Sequence, residues 1–250
     1  MKKIALTQMN VEYGNIQKNI MVAENFINSA ITQKCDLVLL PELWSTGFDY
    51  HHLEEYAQQN YALIMHLQEV SNQTGIIISG SFIEKQGSQF FNSFNTLQPN
   101  LPRARYFKNH LFTPMREDKY FTAGELSLPF KTPLGMTGMS VCYDLRFPEL
   151  FLDMRLHDVE VFLMSAHWPL VRINHWDVLL QARAIENQAY MIAVNSVDQS
   201  GKDSYGGHST VIAPDGEMLI QAPSDQDGLF VVEIEPNRVR EWREKFVITR

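Results

Sequence analysis

Short apolar runs alternate along this chain with longer segments that repeat apolar residues every three or four positions. Residues 4–9, which follow two lysines, read as a strand. Residues 15–30 then set Ile16, Ile20, Ala23 and Ile27, with Ile31 just beyond, on one side at helical spacing. Residues 37–40 form a second short strand, ended by Pro41. Residues 61–71 read as helix and 76–83 as strand. Residues 94–97 and 105–107 read as two strands around a turn at Pro99-Asn100. A strand at 139–141 leads to a helix over 147–156 that opens near Pro148. A strand at 159–164 precedes a helix over 176–188 with Trp176, Leu179, Leu180 and Ala184 on one face, and 191–194 is again a strand. The last quarter holds strands near 210–212 and 229–232, joined through the turn Pro214-Asp215-Gly216. Alternating strands and helices with some hairpins predict an α/β fold with mixed sheets. No linker, repeat or low-complexity stretch divides the chain, so residues 1–250 are expected to form a single domain.

Composition narrows the function classes. The 250 residues are 45% hydrophobic and 20% charged, an ordinary globular balance able to bury a sizeable core. Twenty-nine acidic against 21 basic residues give a formal charge of −8. That excess repels phosphate backbones and argues against general nucleic-acid binding, though a pocket can differ in sign from the surface around it. No stretch approaches the ~20 apolar residues of a membrane helix, and the start, MKKIALTQM, lacks the apolar run of a signal peptide. A soluble cytoplasmic protein is expected. Two cysteines cannot form a disulfide framework. The eight histidines show no metal-binding spacing, so no metal is expected.

Three polar residues sit where apolar strands are predicted to end: Glu42, Lys108 and Cys142. Ligands of open α/β sheets gather at the carboxyl ends of strands, which makes the placement suggestive. Cys142 lies in a strand, sharp turn and helix, where a helix end would favour thiolate; a blindly chosen cysteine is more often inert and buried. Cys35, before the run at 37–40, is expected only to pack. Glu42 serves equally well on local sequence as a strand-end salt bridge or as a base of raised pKa. Lys108 reads alone as a surface lysine, or as a donor to a tetrahedral oxyanion. The joint order Glu, Lys, Cys is the stronger signal.

That order, with its flanks, resembles the nitrilase superfamily of carbon–nitrogen hydrolases. The matching blocks are Leu-Pro-Glu-Leu at 40–43, Tyr-Phe-Lys-Asn-His-Leu-Phe at 106–112, and Val-Cys-Tyr-Asp-Leu-Arg-Phe-Pro-Glu at 141–149. Further matches run through 182–188 and 207–210, so the likeness spans nearly the whole chain. It implies a four-layer α-β-β-α sandwich, a homodimer in which two sandwiches meet, and no cofactor. It implies a catalytic triad of Glu42, Lys108 and Cys142, with Glu117 as the family's second glutamate. The oxyanion hole would combine Lys108 with the main-chain N–H of Tyr143. Within the superfamily the chain looks most like the omega-amidase (2-oxoglutaramate amidase) branch, on Cys-Tyr-Asp-Leu-Arg-Phe-Pro, residues 175–190 and the late Arg-Glu-Lys-Phe at 243–246. Cys-Tyr-Asp replaces the Cys-Trp-Glu typical of true nitrilases, which speaks against nitrile hydrolysis.

The implied substrate is a small carboxamide with a distal carboxylate. Trp168, Trp44 and Phe48 are candidate pocket walls, against ordinary packing. Arg116 and Arg172 are candidate carboxylate partners; Arg146 could orient Glu149 or bind substrate, and a structural ion pair that fixes the turn is the favoured reading. Three competing readings remain: an N-carbamoyl amino acid or aliphatic amidase, a catalytically silent binding protein, and a cysteine–histidine hydrolase using His110, His167 or His208.

Overall fold

The computed structural model describes residues 1–125, 128–198 and 204–248. The first half of the chain supplies β1 (Lys2–Gln8), α1 (Ile16–Thr32), β2 (Leu37–Leu39), α2 (Leu53–Thr74), β3 (Ile77–Gln86), β4 (Gln89–Leu97) and β5 (Ala104–Phe107). The second half supplies β6 (Phe130–Thr132), β7 (Gly135–Val141), α3 (Pro148–Arg155), β8 (Val161–Ala166), α4 (Ile173–Asn187) and β9 (Tyr190–Asn195). A small pair follows, β10 (Val197–Asp198) and β11 (Tyr205–Gly206), then β12 (Thr210–Ile212), β13 (Met218–Gln221), β14 (Gly228–Ile234) and α5 (Arg238–Lys245).

Two six-stranded sheets result, in the orders β14-β1-β2-β3-β4-β5 and β13-β12-β9-β8-β7-β6. Strands β1, β2 and β3 run parallel, as do β7, β8 and β9, and the flanking strands are antiparallel. Period-2 alternation sends Ile4, Leu6, Leu37, Leu39 and Phe94 from one sheet against Val141, Val161, Leu163, Ile192 and Val194 from the other. The opposite faces pack on helices. Ala5, Val38 and Ile78 meet α1 and α2, whereas Phe162, Met164 and Met191 meet α3 and α4. The expected four-layer α-β-β-α sandwich is thus the observed one. Each fully buried aliphatic or aromatic side chain contributes ~1.5–3 kcal/mol, and these three clusters offset the burial of the polar groups described below. No helix of the described residues is long and apolar enough to cross a membrane.

Several elements differ from their sequence readings for identifiable reasons. Helix α2 starts eight residues earlier than predicted, because buried Asn60 and half-polar turns blur its apolar stripe. Helix α5 offers only Val239 to the core and has no apolar period to detect. The turn at 214–216 joins β12 to β13, not to the strand at 229–232. That last strand, β14, crosses to the other sheet and pairs with β1 over all seven of its residues. Cys35 is buried among α1 and α2 residues, as its position suggested.

Candidate active site

Three strand ends bring Glu42, Lys108 and Cys142 together. Glu42 follows β2, whose exit is held by the main-chain N–H of Leu40 donating to Ser79 O (2.8 Å). The Ser165 hydroxyl, from the opposite sheet, donates to Leu40 O (2.7 Å). Lys108 follows β5; its N–H donates to Asn92 O, and its carbonyl accepts from Gly124 N (3.0 Å). Gly124 has no room for a side chain, because a Cβ would stand 2.2 Å from Phe107 O. Cys142 follows β7 on a sharp elbow with φ of 46°, a left-handed conformation rare for a side-chain-bearing residue.

The charged groups are sealed from solvent: Glu42, Lys108 and Glu117 are each no more than 1% exposed. Lys108 Nζ donates to Glu42 Oε1 at 2.8 Å and to both oxygens of Glu117 at 3.0 and 2.9 Å. Asn92 Nδ2 also donates to Glu42 Oε1 (2.8 Å), and the main-chain N–H of His167 donates to Oε2 (3.1 Å). Cys142 Sγ lies 3.8 Å from His167 O, to which its S–H donates. Asn92 and Ser165 were not singled out by sequence; a polar residue inside a strand with both faces covered is the signal that marks them.

Burial sets the electrostatics. It pushes Glu42 up, with Lys108 opposing and Glu117 adding to the rise. Burial alone would lower Lys108, but the Glu117 and Glu42 carboxylates outweigh it and hold the ammonium well above its ordinary value. Burial also pushes the Cys142 thiol well up, Glu42 reinforcing and Lys108 opposing. The sequence expectation of a thiolate stabilised by a helix end is therefore corrected. The turn after Cys142 is a single 3-10 turn (Cys142–Arg146), too short to overcome desolvation. Both the thiol and the Glu42 carboxyl are raised, so burial makes Glu42 a stronger base beside the thiol.

A buried carboxylate fixes the elbow. Asp144 accepts from Val141 N (2.9 Å), one residue before the thiol, and from Tyr106 Oη (2.7 Å), two residues before Lys108. It also accepts from His110 N (3.0 Å) and faces His110 Nδ1 at 2.8 Å. One side chain thus ties the Lys108 strand of one sheet to the Cys142 strand of the other. Tyr106 is raised well above the usual phenol range by burial and by this carboxylate.

The triad opens into a narrow pocket enclosing about 400 Å3, part of it open to solvent. Tyr143 and Trp168 line it, as does Phe48; Trp44 does not, being buried against Phe82 and Gly80 under the sheet. Arg146 and Arg172 line it too. The Arg146 guanidinium sits 4.7 Å over the Trp168 ring and 3.3 Å from His175 Nδ1, so the expected pair with Glu149 is absent. Arg172 sits 5.8 Å from the Phe112 ring. Burial and the neighbouring Arg172 both lower Arg146, and among the described residues neither guanidinium has a carboxylate partner. Arg116 is exposed on a left-handed residue and lies outside the pocket.

The histidine reading does not fit this geometry. His110 pairs with Asp144 and stacks on Phe147, His208 pairs with Asp177, and His167 reaches Cys142 only through its carbonyl.

Known proteins resemble this chain over nearly its whole length. The carbon–nitrogen hydrolase family model matches residues 3–244. A protein described as a hydrolase in the agr operon of Staphylococcus aureus is 33% identical over 98% of this chain and 96% of its own. The 2-oxoglutaramate amidase of Bacillus subtilis is 32% identical over 98% of this chain and 95% of its own. Among solved structures, a CN-hydrolase superfamily protein from Xanthomonas campestris superposes with a TM-score of 0.87 at 27% identity, covering 98% and 94% of the two chains.

Proposed function

Because this chain belongs to the carbon–nitrogen hydrolase family and is an enzyme acting on amides, we propose for it a particular reaction. It hydrolyses the terminal carboxamide of a small acid, of the 2-oxoglutaramate or 2-oxosuccinamate kind, to carboxylate and ammonia through a cysteine thioester. The observation that carries the reading is one ammonium held by two buried carboxylates beside a partly buried thiol. Glu117 takes up part of the Lys108 charge, which leaves Glu42 free to act as base.

Glu42 accepts the Cys142 proton as sulfur attacks the amide carbon. Lys108 and the Tyr143 N–H, at the start of a turn where main-chain donors lack partners, hold the oxyanion. Glu42 then delivers its proton to the leaving nitrogen and ammonia departs. Water adds to the thioester with Glu42 again as base, and the acid is released.

The two guanidiniums, which have no carboxylate partner among the described residues, support the carboxylate-bearing substrate, because a locally positive mouth on a chain of charge −8 selects anions. Arg172→Ala or Arg146→Ala is expected to raise KM for 2-oxoglutaramate about 10–100-fold, the worth of one charge-assisted contact, with little change for a neutral aliphatic amide. An ammonia-release screen across 2-oxoglutaramate, 2-oxosuccinamate, glutamine, aliphatic amides, nitriles and carbamoyl amino acids tests the substrate class. Preference for a neutral amide or a carbamoyl compound would overturn it. The cation's placement has its own check. Gly124→Ala, which drives a methyl into Phe107 O, is expected to lower kcat about 100-fold, as misplacement by about 1 Å does, with far-ultraviolet circular dichroism unchanged.

A further inference from the structure

His167 is a buried, titratable side chain with no part in the steps above. Only 5% of it is exposed, and its Nδ1 is buried with no hydrogen-bond partner among the described residues. Buried polar atoms are ordinarily paired, with protein or with water. Its ring is gripped edge-on between Phe48 (5.2 Å) and Tyr205 (4.7 Å), so it cannot readily swing away. Its main chain touches both reacting groups, the N–H donating to Glu42 Oε2 and the carbonyl accepting from Cys142 Sγ.

A second cavity lies on the other side of this residue. It holds about 1730 Å3, is open to solvent, and carries polar residues such as Asn10, Glu12, Lys18 and Asp227. Phe48, Met115 and His167 line both this cavity and the triad pocket, and so form the wall between them. Of the three, only His167 can donate a hydrogen bond through its side chain. The mechanism needs small polar traffic beside Glu42. Ammonia leaves there after taking the Glu42 proton, and the hydrolytic water, which gives its proton to the same base, arrives on the same side.

We propose that the His167 imidazole is a positioning residue that hydrogen-bonds the species exchanged across this wall, ammonia outbound and water inbound, and thereby governs hydrolysis of the acyl-enzyme. The inference rests on the thioester mechanism above. In the governed step the water oxygen bonds to the acyl carbon and its proton passes to Glu42. The C–S bond breaks with its electron pair returning to sulfur, and Glu42 returns the proton to the thiolate. Burial, and then the Lys108 charge, push the imidazole down to about 3, so it stays neutral with one donor and one acceptor at working pH.

The test divides the acyl-enzyme between two nucleophiles. Enzyme turning over its best amide is offered hydroxylamine in water, and the ratio of hydroxamate to carboxylate is measured. That ratio does not depend on which step limits turnover. His167→Phe keeps the ring and its edge contacts but removes both nitrogens. It is expected to shift the ratio toward hydroxamate about fivefold or more, whereas His167→Asn stays within about twofold of wild type. Cys142 alkylation by iodoacetamide at an unchanged rate shows that the site is intact; should the phenylalanine variant not fold, His167→Leu carries the same comparison. An unchanged ratio in the apolar variant, or an equal shift in His167→Asn, overturns the proposal. A wild-type protein that releases ammonia from no amide would instead sink the amidase reading itself.

Discussion

Replacing Cys142 by alanine is expected to reduce ammonia release by at least about 10^4-fold, the scale on which loss of a covalent nucleophile is felt. The fold should survive. The side chain is only partly buried, its hydrogen bond to His167 O is a long S–H contact, and alanine meets the same positive φ that cysteine already tolerates. The melting temperature is therefore expected to move by no more than about 2 °C, equivalent to under about 1 kcal/mol. Kinetics, differential scanning fluorimetry and mass spectrometry of an acyl adduct at Cys142 in the wild type check the pair of statements. Turnover close to wild type in the alanine variant would remove the nucleophile from the scheme.

Lys108→Met is the second large effect, and it strikes stability as well as rate. Loss of an oxyanion donor costs ~10²–10³ in kcat, and loss of the charge that balances Glu42 adds to it. The same substitution leaves two buried carboxylates without their common cation. Removing one partner of a buried ion pair costs ~3–5 kcal/mol, or about 10 °C in a chain of this size. The pH dependence has a definite sign. Glu42 is already raised by burial while Lys108 opposes that rise, so its loss raises the folded-state value further. A carboxyl raised on folding binds more protons folded than unfolded, and such stability is lost as pH increases. The variant should therefore melt higher at about pH 5.5 than at about pH 8, by more than the wild type does. A variant as stable as wild type at both pH values would mean that the ammonium does not balance these carboxylates.

Much of the sandwich was legible because its strands and two of its helices carry clean periods. Residues 37–40 and 191–194 are unbroken apolar runs, and both lie at the centre of a sheet. Helix α5 was not legible, because it docks by hydrogen bonds: Arg243 donates to the carbonyls of Gln188 and Val159. The grouping of Glu42, Lys108 and Cys142 was legible through motif order alone; the near-complete burial of Glu42 and Lys108 was not. A lysine reads as exposed from sequence, and only the two carboxylates around Lys108 explain how it lies 1% exposed. The ion pair favoured for Arg146 followed from the sequence proximity of Glu149, whereas its guanidinium lies over Trp168, 22 positions on. His167 was legible only as one of three candidate histidines, since its environment comes from Phe48 and Tyr205, both distant along the chain.

The carboxylate of Asp144 fastens the strand end that precedes the ammonium to the one that precedes the sulfur, and these strands belong to opposite halves of the polypeptide. The Ser165 hydroxyl bridges 125 positions in the same way. Neither half carries a reactive centre by itself. A chain still emerging from the ribosome, with its second sheet unmade, holds an ordinary thiol and two unremarkable acids. On the proposed mechanism, reactivity therefore requires both halves to be docked.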